Sequence, residues 1–220
     1  MASHLDLEEQ EQIEELKHFW RRYGPILTWV LIAVLGAYSA WTGWQYWQRR
    51  QGVQASVLYA TLEGAVNAGD QTLVSRALSD MQDKFASTTY ASHASLMAAH
   101  FFLDHNAPAD AQKALNWTLA HSPDEGLAFV AKLRLAAVAM DTKDLAGARS
   151  VLAGHCPSSF EPLVQDRLGD IDVLEKKSDD ASTHYLAAWR SMKDREPYRQ
   201  LVEVKLASLG VDPRQEEKKP

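Results

Sequence analysis

The residue types that could carry chemistry in this 220-residue chain do not converge. Eight histidines are present, and the spacings that matter on a helix are His93 with His100 and His100 with His105. Neither pair comes with the carboxylate of an H-E-x-x-H pattern, which would make a zinc site. Cys156 is the sole cysteine, and one thiol closes no internal disulfide and builds no thiolate metal site. His155 stands beside it, but adjacency in sequence does not make a nucleophile–base pair. G-x-S-x-G, P-loop and G-x-G-x-x-G patterns are absent. Asp179-Asp180 and Glu216-Glu217 read as solvated or turn-forming carboxylates. Arg190, Lys193, Arg195 and Arg199, interleaved with Trp189 and Tyr198, form either a solvated helix face or a dock for an acidic partner. No catalytic, cofactor-binding or metal-ligating residue is assigned. The expectation is a protein that is not an enzyme and carries no cofactor.

Composition narrows the class. A net charge of −6 argues against a protein that covers nucleic-acid phosphates. Apolar residues at 46% and charged residues at 24% are near globular averages. Alanine outnumbers glycine and proline together, which favours helix.

The elements that would position any site begin with a span. Every position from Tyr23 to Gln48 is uncharged. As a helix this stretch would cover roughly 39 Å at about 1.5 Å per residue, whereas a hydrocarbon core needs only about 20 residues. Trp20 at one end, and Trp41, Trp44, Tyr46 and Trp47 at the other, would lie at headgroup level. Arg21, Arg22, Arg49 and Arg50 can snorkel beyond them. A cleaved signal peptide would end its apolar run sooner, in small residues, but Tyr38 interrupts such a site and the run continues to Trp47. The segment therefore reads as an uncleaved transmembrane helix. Ala33, Gly36, Ala40 and Gly43 form a small-residue stripe along it, suited to helix packing in the membrane. Lys17, Arg21 and Arg22 before the span, against Arg49 and Arg50 after it, give a small bias toward a cytoplasmic N-terminus. Residues 1–22 read as an acidic head with a short amphipathic helix, Ile13, Leu16 and Trp20 sharing a face. Gly24-Pro25 would punctuate that helix before the membrane.

Beyond the span, apolar residues recur at helical spacing, as in Leu127, Val130, Ala131, Leu135 and Val138. Gly69-Asp70 and prolines 108, 123, 157, 162 and 197 cut the chain into short helices. The expected helices are 54–68, 71–85, 90–105, 108–121, 124–142, 144–154, 161–177, 179–194 and 197–209, the first a candidate continuation of the membrane helix. A period is also visible. The segments around Ala111, Ala148 and Ala181 align at nearly equal intervals, each alanine following a turn and preceding a bulky residue (Leu115, Leu152, Tyr185) by four. This resembles the second helix of a tetratricopeptide repeat (TPR). Ser95, Lys132 and Gln165 occupy its usual tryptophan position, and only Gly169 its glycine. The fold class is thus all-α, a single N-terminal transmembrane helix followed by a TPR-like solenoid of helical hairpins.

A second resemblance covers nearly the whole chain. An acidic head precedes Ile13-Glu14-Glu15-Leu16-Lys17-His18-Phe19-Trp20 and Gly24. A span then ends in Gly43-Trp44-Gln45-Tyr46-Trp47. An alanine-rich helix with Tyr59 follows, and later comes Leu127-Ala128-Phe129-Val130-Ala131-Lys132-Leu133-Arg134-Leu135-Ala136. The order is similar to that of the YfgM family, the ancillary subunit of the bacterial SecYEG translocon. The resemblance implies a single-pass protein of the bacterial inner membrane with a cytoplasmic head at 1–22 and a membrane helix at 23–48. A periplasmic repeat domain at 51–210 would follow, and the charge and prolines of the last residues suggest a flexible tail at 211–220. The resemblance also implies the SecYEG translocon and a PpiD-like periplasmic chaperone as partners, with nascent or unfolded exported chains as further ones. The expected function is a membrane-tethered scaffold that links translocation to periplasmic chaperones. The alternative is a regulator that sequesters a signalling protein through its cytoplasmic N-terminus. Carrying over the TPR register, the candidate groove is His93, Leu96, His100 and Leu103, then Val130, Leu133, Ala137 and Met140, then Leu163, Asp166, Asp170 and Val173. It would suit an amphipathic helix or an unfolded chain.

Overall fold

The computed structural model describes residues 7–193 and 197–216; side chains at 7–13, 15, 16 and 216 are outside the description. The described residues are helical, with no strand among them. The chain divides into two compact units, 1–53 and 54–220.

In the first unit, α1 (Leu7–Ala68) holds the apolar stretch. One window in it is long and apolar enough to cross a membrane, with mean hydropathy 1.6 and none of it buried. The helix runs through Pro25, where punctuation was expected. Proline removes the N–H that would bond the Arg21 carbonyl one turn earlier, a loss that membrane helices tolerate. Just beyond, the Thr28 hydroxyl adds a second donor to the Gly24 carbonyl at 2.8 Å. Of the amphipathic face expected in the head, only Trp20 has a described side chain, and it is exposed.

The second unit takes the end of α1, from residue 54, as its first helix. Then follow α2 (Gln71–Lys84), α3 (Thr89–Asp104), α4 (Pro108–His121), α5 (Glu125–Asp141), α6 (Leu145–Leu152), α7 (Glu161–Leu174), α8 (Ser178–Ser191), α9 (Pro197–Ser208) and the short α10 (Pro213–Glu216). One turn is used five times. Gly69, Asn106, Lys143, Lys176 and Gly210 all have positive φ and recur at nearly equal intervals along the chain. After each, the next N–H reaches back five residues: Asp70 to the Ala65 carbonyl, Ala107 to Phe102, Asp144 to Ala139, Lys177 to Asp172 and Val211 to Leu206. This is the Schellman closure, which satisfies carbonyls that a helix end would otherwise orphan. Asp70 and Asp144 then cap the following helix, accepting from Leu73 and Gly147 N–H at 2.9 Å.

Among the described residues the turns therefore number five, against the three repeats seen in sequence. Residues four after the first four turn pairs are Val74, Ala111, Ala148 and Ala181, all fully buried, whereas Gln215 after the fifth is exposed. The alanine alignment missed the first because Val74 fills the place. On the partner helices, the matching sites are Leu62, Ala99, Ala136 and Gly169, all buried. Small residues there let two helix axes approach closely. Three apolar clusters result, one over α1–α5, one over α5–α7 and one over α7–α9.

The stretch expected as a flexible tail, 211–220, begins inside the fold: Val211 packs on the third cluster and Pro213 is buried. Residues 217–220, including Glu217, and Arg195 of the basic cluster lie outside the described residues.

A Cβ at Gly169 would sit 2.5 Å from the Tyr185 ring. We expect Gly169→Ala to destabilise the domain by about 1–3 kcal/mol through overpacking, read by denaturant unfolding of the full chain. An unchanged midpoint would refute close packing at this crossing.

Candidate functional site

In the first unit, the Ala33, Gly36, Ala40 and Gly43 stripe is open: all four are exposed, and a Cβ on Gly36 or Gly43 would meet nothing within 4 Å.

In the second unit, the expected groove residues do not form one surface. Leu96 and Asp166 are buried and take no part in any open surface. Leu133 and Met140 pack on the second apolar cluster, Val130 on the first and Leu163 on the third. His93 and Val173 are exposed. His100, Leu103 and Ala137 do come together, in a cleft of about 260 Å³ bounded by α3, α4 and α5. Ala99, Leu115 and Val138 complete its apolar lining, and Arg134 and Asp141 stand in its wall. Sequence reasoning missed these two charges because it carried over repeat positions one by one. They lie three before and four after Ala137, so helical spacing alone would have put them on its face. Arg134 donates to the Leu96 carbonyl at 3.0 Å.

Asp170 serves a different purpose. Lys205 Nζ on α9 lies 2.8 Å from both Asp166 carboxylate oxygens and 2.6 Å from Asp170 Oδ1. Tyr198 donates to Asp166 at 2.7 Å and Tyr185 to Asp170 at 2.8 Å. Burial, then these hydrogen bonds to carboxylates, push both phenols well above the ordinary tyrosine range. The same junction uses Arg199, whose guanidinium stacks 3.8 Å over Trp189, and Glu203, which accepts from the Trp189 indole at 3.0 Å. Part of the basic cluster seen in sequence thus works inside the fold, while Arg190 and Lys193 are exposed.

A second network joins the third and fourth repeats. Arg149 on α6 donates to the buried Asp172 and, at 2.8 Å, to Glu175. His184 Nδ1 lies 2.6 Å from the other Asp172 oxygen. The Arg149 hydrogen bond, then that of Lys177, hold the Glu175 carboxyl down at about 2.

These groups are structural ties, and of them Glu203 also lines a cleft of about 580 Å³ with Ala207, Val211 and Arg214. Burial pushes the Cys156 thiol up, away from the thiolate a nucleophile needs. No set of three potential metal ligands clusters among the described residues.

A profile of tetratricopeptide repeat-like domains matches residues 17–211. Three similar proteins bear the name ancillary SecYEG translocon subunit. That of Neisseria gonorrhoeae is 31% identical over 212 residues, 95% of this chain and 100% of that protein. That of Haemophilus influenzae is 30% identical over 203 residues, 92% and 98% respectively. That of Escherichia coli is 29% identical over 209 residues, 92% and 97%. No solved structure matches the chain.

Lys205→Met leaves two carboxylates facing each other without their cation, and should cost on the order of 3 kcal/mol. In a double-mutant cycle with Asp166→Asn, the pair of changes should cost less than the sum; additive losses would mean the two residues are uncoupled. Glu175 is held below its ordinary 4.5, so its contribution is present above pH 4.5 and disappears as pH falls toward about 2. Glu175→Gln should flatten stability against pH in that window, read by chemical unfolding at each pH.

Proposed function

Since the chain belongs to the family of ancillary SecYEG translocon subunits and carries their tetratricopeptide repeat-like domain, we propose that it is a non-catalytic adaptor tethered beside the Sec translocon. The carrying observation is that the likeness runs through 97–100% of each relative's length, so it takes in anchor and repeats together.

In this reading, residues 1–22 lie in the cytoplasm, 23–48 cross the inner membrane and the repeats from 51 onward lie in the periplasm. The open stripe of α1 faces a translocon helix. Small residues let backbones approach, which is how helices associate where lipid tails are as apolar as leucine. The α3–α5 cleft engages a periplasmic chaperone of the PpiD kind or a segment of an emerging exported chain. Tethering supplies effective concentration, so a weak contact suffices when both partners share one membrane. The open cleft gives the repeat array a surface on which partners can be held.

Photo-crosslinking in native membranes tests this. Probes at Ala40 and at the exposed His100 should capture, respectively, a translocon subunit and a chaperone or translocating chain. Silence from both, with strong capture of a cytoplasmic protein from a probe at Leu16, would instead establish a regulator acting through the N-terminal head.

A further inference from the structure

Resting on the reading of the α3–α5 cleft as a contact site, we infer the chemistry of its occupant: an extended segment with one apolar anchor, an acidic residue two positions to one side and a basic residue two positions to the other. Three observations carry this.

The first is size. At about 260 Å³ the cleft has the volume of roughly nine liquid waters. It accepts a side chain or two, whereas a helix of about 10–12 Å diameter would rest outside it. The second is the floor. Ala99, Leu103, Leu115, Ala137 and Val138 offer it no hydrogen-bonding side chain, so the inserted group is apolar.

The third is charge. Arg134 and Asp141 lie in the same wall, seven residues apart on α5, which places them about 10 Å apart along the axis. Neither has an ion-pair partner among the described residues: Arg134 donates only to a backbone carbonyl, and Asp141 is exposed with no bond to another side chain. Asp104, one turn after the cleft residue His100 on α3, lies 3.7 Å from its ring. The cleft is therefore polarised, cationic toward Arg134 and anionic toward Asp141. An extended segment advances about 3.3 Å per residue and puts alternate side chains on one face. Residues at i−2, i and i+2 then share a face and span about 13 Å, a length that flexible charged side chains adjust to Arg134 and Asp141. The acid meets Arg134, the anchor fills the cleft and the base meets Asp141.

The probe is the peptide Ser-Glu-Ser-photoleucine-Ser-Lys-Ser, offered to the full chain in lipid nanodiscs, with adducts mapped by mass spectrometry. Adducts should fall around Leu103 and Ala137. Replacing the peptide's Glu and Lys by Ser should lower the yield roughly fivefold or more, as should Asp141→Lys in the protein. The Asp141→Lys chain should in turn favour a peptide with Glu at both ends. Adducts scattered outside α3–α5, no adducts, or yields indifferent to charge would overturn the inference. If His100 still captures partners in native membranes in that event, the adaptor reading stands and only the occupant's chemistry is wrong.

Discussion

A helix cannot end inside a folded array without disposing of its last carbonyls, and the repeat domain solves this the same way five times. A residue with positive φ lets the next N–H turn back to the carbonyl five residues earlier. Only Gly69 and Gly210 adopt that φ without steric cost. Asn106 tolerates it, and Lys143 and Lys176 take it at roughly 1–2 kcal/mol each. The reversal fixes where the second helix starts, and with it which small residues meet at the crossing. The clusters, the cleft and the polar ties all depend on that register.

The repeats are not glued alike. From the end of α1 to α5 the interfaces are mainly apolar, with Leu62, Val74, Met81 and Leu115 fully buried, and uncharged polar side chains also bond across them, as where Gln82 donates to Ser95 and Ser92 to Ser122. In the fourth repeat, carboxylates occupy inward positions: Asp166 stands where Leu96 and Leu133 stand earlier, and Asp172 where Ala139 does. Each survives burial because a cation and a hydroxyl or imidazole meet it. Such ties give orientation more than strength, since an apolar replacement of similar volume is often as stable.

Much of this was legible in sequence. The helical period, the prolines at helix starts and the charge-free stretch gave the all-α class and the helix limits to within a few residues. Two things were not. Two repeats went unnoticed, because the place of the expected alanine holds Val74 after the Gly69 turn and Gln215 after the Gly210 turn. The groove was mis-sorted because one helix face holds both core and surface residues at neighbouring positions. Leu96 and His100 are one turn apart, yet one is buried and the other exposed.

A stack of similar modules has an end, and an end that looks like an interior seam invites another stack. At the crossing where the first four repeats carry Leu62, Ala99, Ala136 and Gly169, the fifth carries Glu203, tied to the Trp189 indole and facing Arg214 at 3.5 Å. Docking a further hairpin there would strip water from that carboxylate. The fifth repeat thus presents a charge at a crossing that is uncharged in the other four, which makes it a poor seat for another apolar hairpin.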